Sequence, residues 1–283
     1  MGRNSQIEWT HHTFNPWWGC KKVSPACDNC YAELWAKRMG HRLWEKDSPR
    51  RFFTDAHWRE PLKWNDEARL AGERQRVFCA SMADVFEHRA DLNSQRVRLW
   101  ELIDNTPHLD WLLLTKRPQN VARIVPWMER WPPNVWLGTS VENQAQAEKR
   151  LPFLLRNPAT VRFLSCEPLL GPVDLRGWFR REGFYSIDWI IAGGESGAAS
   201  RPMHPDWISS LLHQCIEFDV PFHFKQWGQW VPSDLAQEAV RARLIELNDE
   251  RPVEMVKMSK KLTGRTLEGA TWDGVPHTPL IHA

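Results

Sequence analysis

The sequence predicts an α/β chain: a parallel (βα) barrel of the TIM type, partial or complete, with an irregular C-terminal extension. Three observations predict it. Six runs of four or five residues are apolar on both faces, as strands of a parallel sheet covered on both sides must be. Their starts are roughly 24–35 residues apart, the span of a βα unit, and several of the gaps carry helical periodicity. A polar or charged residue follows nearly every run, and in a barrel all these positions meet on the C-terminal face. A doubly wound sheet would use only the few at its switch point.

In chain order, Ile7-Glu8-Trp9-Thr10 is a candidate first strand, and Tyr31–Arg42 a first helix. Residues 47–66, DSPRRFFTDAHWREPLKWND, form a long link rich in aromatic and basic residues. The six clear strands are Val77–Ser81, Trp111–Thr115, Val135–Thr139, Val161–Ser165, Trp189–Ala192 and Pro221–Lys225. Ser94–Asp104, Asn143–Leu155 and Pro205–Phe218 have the 3.6-residue rhythm of amphipathic helices. Residues 1–227 are therefore expected to form the barrel domain, and 228–283 an extension packed on it.

The 283 residues suffice for a large core in one or two domains. A net charge of +2 gives a weak overall field, which argues against bulk coating of nucleic acid but allows a local basic patch. There is no apolar run of membrane-spanning length and no hydrophobic leader, so the expected compartment is the cytoplasm, with no membrane partner. Thiols stay reduced there, and closely spaced cysteines read as metal or redox ligands. No GxSxG, HExxH or GxxxxGK[ST] motif occurs, which argues against serine hydrolases, metalloproteases of the HExxH type and P-loop NTPases.

The segment CKKVSPACDNCY carries Cys20, Cys27 and Cys30, between the first strand and the first helix. Two residues between Cys27 and Cys30 make a turn tight enough for both thiolates to grip one centre. Gly19 and Pro25 help the loop fold back, so Cys20 is expected to converge with them. Three readings stand: a [4Fe–4S] cluster with three protein ligands and one open iron; a Cys₃His zinc site completed by His11 or His12; or buried, unligated cysteines.

The strand ends supply the other candidates. Ser81 and Asp84 follow the second strand, where Asp84 also suits a helix N-cap. Lys116 and Arg117 place two cations fit for a carboxylate or phosphate. Ser140 and Glu142 follow the next strand, and Cys166 and Glu167 the one after; Cys166 could be a fourth ligand, a hydrogen-atom donor or inert. In GGESG, Gly193 and Gly194 allow close backbone approach to a ligand or simply make a tight turn. Glu195 lies beside them, and Lys225 ends the last strand, placed to meet a substrate anion or to pair with Glu195 or Glu167. Arg38, Arg42, Arg50, Arg51, Arg59 and Lys63 interleave with Phe52, Phe53, Trp58 and Trp64, a pattern that suits either a nucleic-acid strand or a covering loop.

A cysteine loop between the first strand and first helix of a partial barrel resembles the radical S-adenosylmethionine (SAM) superfamily. Its usual CxxxCxxC is CxxxxxxCxxC here, with the aromatic Tyr31 after Cys30. A closer resemblance runs through most of the chain: FNPWWGCKKVSPACDNCYAE, FCASMADVF, LLLTKRPQ, WLGTSVENQ, LSCEPLLGPVDL, IIAGGESG, RPMHPDW and FHFKQWG, in that order, resemble the phage gene-product-37/gene-product-68 family, a radical-SAM-like, three-Cys-motif group of unknown function. The resemblance implies a [4Fe–4S] cluster on Cys20, Cys27 and Cys30, and SAM bound at the open iron. It implies contacts to SAM from Ser81, Asp84, Lys116, Ser140, Glu142, Glu167, Gly193 and Gly194, with Asp84 meeting the methionine amino group. Glu195, Lys225 and Cys166 are the expected catalytic residues. An electron donor such as a flavodoxin or ferredoxin and a gene-neighbour partner protein are also implied. The substrate class expected is a nucleic-acid base. The alternative is a zinc-stapled barrel without activity that binds nucleic acid or a partner protein.

Overall fold

The structure is a computed structural model, and it describes residues 2–180, 182–236, 243–247 and 251–276. It is an α/β fold, a partial parallel (βα) barrel. After β1 (His12–Thr13) come the short β2 (Trp17–Trp18), α1 (Tyr31–Arg38), β3 (Arg51–Phe52), α2 (Asp55–Trp58) and α3 (Glu60–Ala71). The regular alternation then runs β4 (Gln75–Cys79), α4 (Asn93–Asp104), β5 (Leu109–Thr115), α5 (Val121–Ile124), β6 (Val135–Ser140), α6 (Gln144–Leu154), β7 (Arg162–Cys166), β8 (Trp189–Gly193), α7 (Pro205–Glu217) and β9 (Phe222–Gln226). The main sheet has the order β1-β4-β5-β6-β7-β8-β9, so β1 and β9 are its two ends. Among the described residues no helix is long and apolar enough to cross a membrane.

The strands form where the reading of apolar runs put them, because β6, β7 and β8 are buried at every residue and β5 at all but one. Removing both faces from water favours Val, Ile, Leu and Trp throughout, at about 1.5–3 kcal/mol for each large side chain. Part of the tryptophan excess lies here: Trp111, Trp136 and Trp189, on β5, β6 and β8, are among the largest fully buried side chains.

Three expectations are corrected. The first strand is His12–Thr13, paired with Val77–Phe78, because residues 7–10 close a turn in which the Thr10 amide donates to the Ile7 carbonyl at 3.2 Å. The first helix stops at Arg38, four residues early, where the His41 amide turns back to the Ala36 carbonyl. The 47–66 link contains β3, α2 and the start of α3, whose Pro61 lies in the first turn, where its missing N–H costs nothing.

By its contacts the chain divides into two units, residues 1–140 with 149–162, and residues 141–148 with 163–283. In the first unit the segment before β1 folds along the free edge of that strand, and the Thr13 amide donates to the Gly2 carbonyl. In the second unit β10 (Trp230–Pro232), β11 (Arg243–Leu247) and β12 (Val253–Lys257) make an antiparallel sheet of order β10-β12-β11, followed by α8 (Lys260–Thr263). The chain then returns to β9: the Phe224 amide donates to the Trp272 carbonyl, and the Gly274 amide to the Phe222 carbonyl. Each terminal strand of the sheet is thus covered, which removes an edge open to aggregation. Residues 237–242, 248–250 and 277–283 of the expected C-terminal extension lie outside the described residues.

Candidate functional site

The first unit holds the cysteine loop, and its geometry begins at Asn15. The Asn15 side chain takes the Met82 amide at 2.7 Å and donates to the Ser81 hydroxyl at 3.0 Å, so the end of β1 is tied to the turn after β4. Four positions on, the Gly19 amide donates to the Met82 carbonyl, and Gly19 bridges Ala83 in parallel. Only glycine fits there. Its φ is +114°, and a Cβ would come within 2.7 Å of the Leu43 carbonyl. The loop leaves this point with Cys20, makes a short 3₁₀ turn over Pro25–Cys27, and delivers Cys30 to the N-terminus of α1. Tyr31 then donates through its hydroxyl to the Ser81 carbonyl at 2.9 Å. Sequence reasoning passed over Asn15, whose one signal is its place in NPWWG between strand and loop.

The three sulfurs have distinct surroundings. Cys20 and Cys30 pack against one apolar cluster of Ala32, Ala36, Leu43, Trp44 and Met82, and Cys27 is buried. Burial pushes the Cys20 thiol up to about 12, against the opposing pull of the Arg117 guanidinium. Burial also raises Cys30, while the first-turn amides of α1 and the Lys116 cation pull it down. Among the described residues no three His, Cys, Asp or Glu side chains are gathered closely enough to hold a single metal ion. The Cys20 sulfur faces Arg117. The donor chemistry nonetheless fits an iron–sulfur cluster: three thiols on one loop, an apolar wall, and two cations to offset thiolate charge. It does not fit Cys₃His zinc through His11 or His12. His11 Nδ1 accepts the Arg76 amide at 2.8 Å, and His12 Nε2 pairs with Gln75 at 2.7 Å while its ring stacks on Trp64.

Asp84 is buried and fully occupied. One carboxylate oxygen accepts from the Thr115 hydroxyl at 2.7 Å and the Phe86 amide at 3.0 Å. The other accepts from the Lys116 amide at 3.1 Å and Arg117 Nη1 at 2.6 Å. Burial alone would raise this carboxyl, but Arg117 and the three hydrogen bonds outweigh it and hold it below the ordinary carboxylate range. The carboxylate is therefore already committed within the protein, with its lone-pair directions taken. Lys116 differs: it is half-buried, and its ammonium donates to the Ser140 hydroxyl at 3.1 Å. Lys116 and Ser140, side by side near Cys30, leave donors for an anionic group.

The aromatic and basic stretch after α1 is packed inward in part, while Arg42, Phe52 and Arg59 are exposed. Trp58 and Trp64 are buried, Lys63 pairs with Glu60, and Arg50 is sealed in a two-pronged ion pair with Glu87 at 2.7 and 3.2 Å. Arg51 lies over the Trp18 and Phe53 rings.

The second unit carries the remaining candidates. Lys225 pairs with Glu167 at 2.7 Å, and both side chains keep some exposure. Glu195 is buried and gripped by Arg201, which donates through its backbone amide at 2.7 Å, Nε at 2.9 Å and Nη2 at 2.5 Å. Glu142 is buried, and its backbone carbonyl takes the Leu170 amide at 2.7 Å. Cys166 is fully buried at the end of β7, where burial and the neighbouring Cys215, Glu167 and Glu142 push its thiol well above the ordinary value. Gly194 serves packing: its amide donates to the Gln226 carbonyl, and a Cβ would fall 1.9 Å from the Trp227 carbonyl oxygen. Gly193 sits against the same segment, with a notional Cβ 3.0 Å from the Gln226 carbonyl oxygen. Arg201 was not a candidate from sequence, since it lies in RPMHPDW, past the strand end.

A family model described as "Protein of unknown function (DUF5131)" matches residues 4–276. No curated protein matches the chain. Among solved structures, a spore photoproduct lyase variant with bound AdoMet and dinucleoside spore photoproduct is 12% identical at a TM-score of 0.45, over 92% of this chain and 74% of that one. Spore photoproduct lyase complexed with dinucleoside spore photoproduct is 12% identical at a TM-score of 0.46, over 92% of this chain and 72% of that one.

Proposed function

The chain belongs to the DUF5131 family, whose function is unknown, and within it we propose a radical-SAM-like enzyme built on the loop of Cys20, Cys27 and Cys30. The observation that carries the reading is that loop itself: three thiols between the first strand and first helix of a parallel βα array, with Lys116 and Arg117 beside them. The three cysteines would hold a [4Fe–4S] cluster that leaves one iron for SAM. The chemistry such a group supplies is reductive cleavage of the SAM sulfonium to methionine and a 5′-deoxyadenosyl radical, with one electron from a flavodoxin- or ferredoxin-type donor.

The protein's own residues have separable tasks in this reading. Lys116, with Ser140 as its hydrogen-bond partner, is assigned the SAM carboxylate, by charge and by its remaining donors. Asp84, committed to Arg117, is assigned support of the loop, since contact with the amino group would require it to give up a donor it already holds. The apolar wall of Leu43, Trp44 and Met82 is assigned to shield one side of Cys20 and Cys30 from water. In the second unit the Lys225–Glu167 pair, which keeps some exposure, is assigned to a polar group of the substrate, while Arg201-bound Glu195 and buried Cys166 are assigned structural roles. The substrate class we propose is a nucleic-acid base. It rests on the resemblance to the phage gene-product-37/gene-product-68 family, which also suggests a gene-neighbour partner.

The test is turnover. Anaerobic protein reconstituted with iron and sulfide is given SAM and dithionite, and 5′-deoxyadenosine is measured. The reading expects 5′-deoxyadenosine from the wild type and none from Cys27→Ala. A wild type that holds its cluster yet forms no 5′-deoxyadenosine under any reductant would refute SAM turnover.

A further inference from the structure

We propose that Arg117 is a positioning residue for the cysteine loop: anchored on Asp84, its guanidinium braces the Cys20 arm and donates to the Cys20 sulfur. The positional part stands on this chain's own geometry; its redox consequence rests on the cluster reading above.

The guanidinium has three partners on two different segments. Nη1 reaches Asp84 at 2.6 Å and the Cys20 sulfur at 3.7 Å, and Nη2 donates to the Lys21 carbonyl at 2.6 Å. A planar fork suits this task, since it holds a carboxylate and a peptide carbonyl in fixed relative positions, which a lysine ammonium cannot do. The fork cannot swing away. Its side chain is 8% exposed and that of Asp84 is 6% exposed. Asp84 is itself fixed by Thr115, Lys116 and Phe86, and the Arg117 amide donates to the Thr115 hydroxyl at 2.8 Å. On its other side the loop is tied down by the Gly19 amide on the Met82 carbonyl. Cys20 and Lys21 are therefore held from two directions, by the turn after β4 and by Arg117, the second residue after β5. A cation donating to a ligand sulfur eases the addition of an electron to the group that sulfur binds. Arg117 should thus set both how readily the loop loads and the potential of what it holds.

The experiment compares wild type, Arg117→Lys, Arg117→Met and, as a remote control, Arg98→Met, whose guanidinium pairs with Asp55 on the outer helices. In the metal-free proteins, hydrogen exchange is read at the Gly19 and Lys22 amides against the amides of β4 and β5. Arg117→Met is expected to speed exchange in the loop at least about tenfold more than in β4 and β5, which feel only the global cost of leaving Asp84 without its cation. In the reconstituted proteins, Arg117→Met is expected to weaken iron loading by about 10–100-fold and to move the midpoint potential to a more negative value. Arg117→Lys keeps the charge without the fork and is expected to fall between, with Arg98→Met at wild type. If Arg117→Met fails to fold, Arg117→Lys carries both readouts. Loop exchange equal to wild type in the Arg117 variants overturns the brace, and an unchanged potential overturns the tuning. A wild type that binds no iron refutes the cluster reading instead, and the exchange data then decide the brace by themselves.

Discussion

Replacing Asp84 by Asn tests how the site is held, because the change keeps the shape and removes one charge. The Asn oxygen can still accept from the Thr115 hydroxyl and the Phe86 amide, which share one carboxylate oxygen. The other oxygen becomes an NH₂ facing two donors, the Lys116 amide and Arg117 Nη1. Arg117 is left buried without its counter-charge. Removing one member of a buried pair costs about 3–5 kcal/mol, and the donor-to-donor contact puts Asp84→Asn within that range. For a chain of this size about 3 kcal/mol lowers the melting temperature by roughly 6–12 °C. Calorimetry at neutral pH reads the shift directly. A melting point within about 2 °C of wild type would refute the argument that this carboxylate is a structural anchor. The pH dependence gives a second check. The Asp84 carboxyl is held below its ordinary 3.8, so the stability it adds is fully present above that value and is lost as pH falls through its folded value. The gap between wild type and Asp84→Asn should therefore stay constant from pH 7 to about 5 and narrow only in stronger acid.

Three further outcomes are expected. Glu87→Gln breaks the sealed pair with Arg50, whose side chain is 0% exposed, and should cost about 3–5 kcal/mol in chemical denaturation. Gly194→Ala puts a methyl 1.9 Å from the Trp227 carbonyl oxygen, so β8 and β9 must part locally; a loss of about 1–3 kcal/mol or more is expected in the same assay, and a neutral result would show that the glycine is not kept for packing. Lys225→Met leaves Glu167 without its cation at a partly exposed position, so only a modest stability loss, about 1 kcal/mol, is expected, with the main effect on substrate binding once a substrate is in hand.

The sequence made the main sheet legible because burial on both faces leaves no alternation to confuse it: all six clear strands form within two residues of where apolar runs put them. It hid the elements held by few residues or by polar contacts. β2 and β3 are two residues each and pair only with one another, so no run marks them. The helix over Glu60–Ala71 was concealed by Pro61, which reads as a breaker within a link and as a starter at a first turn. The rule that a polar residue follows each strand pointed to Asp84, Lys116, Glu167 and Lys225, but pairing is a three-dimensional fact. Nothing in SMADVF and LTKRPQ says that Asp84 spends its charge on Arg117, or that Lys116 does not. The glycines of GGESG show the same limit, since tight approach to a ligand and tight approach to a neighbouring strand ask for the same residue.

The most direct measurement is the iron and acid-labile sulfide content of anaerobically purified and reconstituted protein, taken with its visible spectrum, for the wild type and for Cys20→Ala, Cys27→Ala and Cys30→Ala. The account predicts a brown wild type with about four irons and four sulfides per chain, a colour bleached by dithionite, and loss of both in each variant. A colourless wild type that takes up zinc but no sulfide, or variants that keep the full cluster, would contradict it.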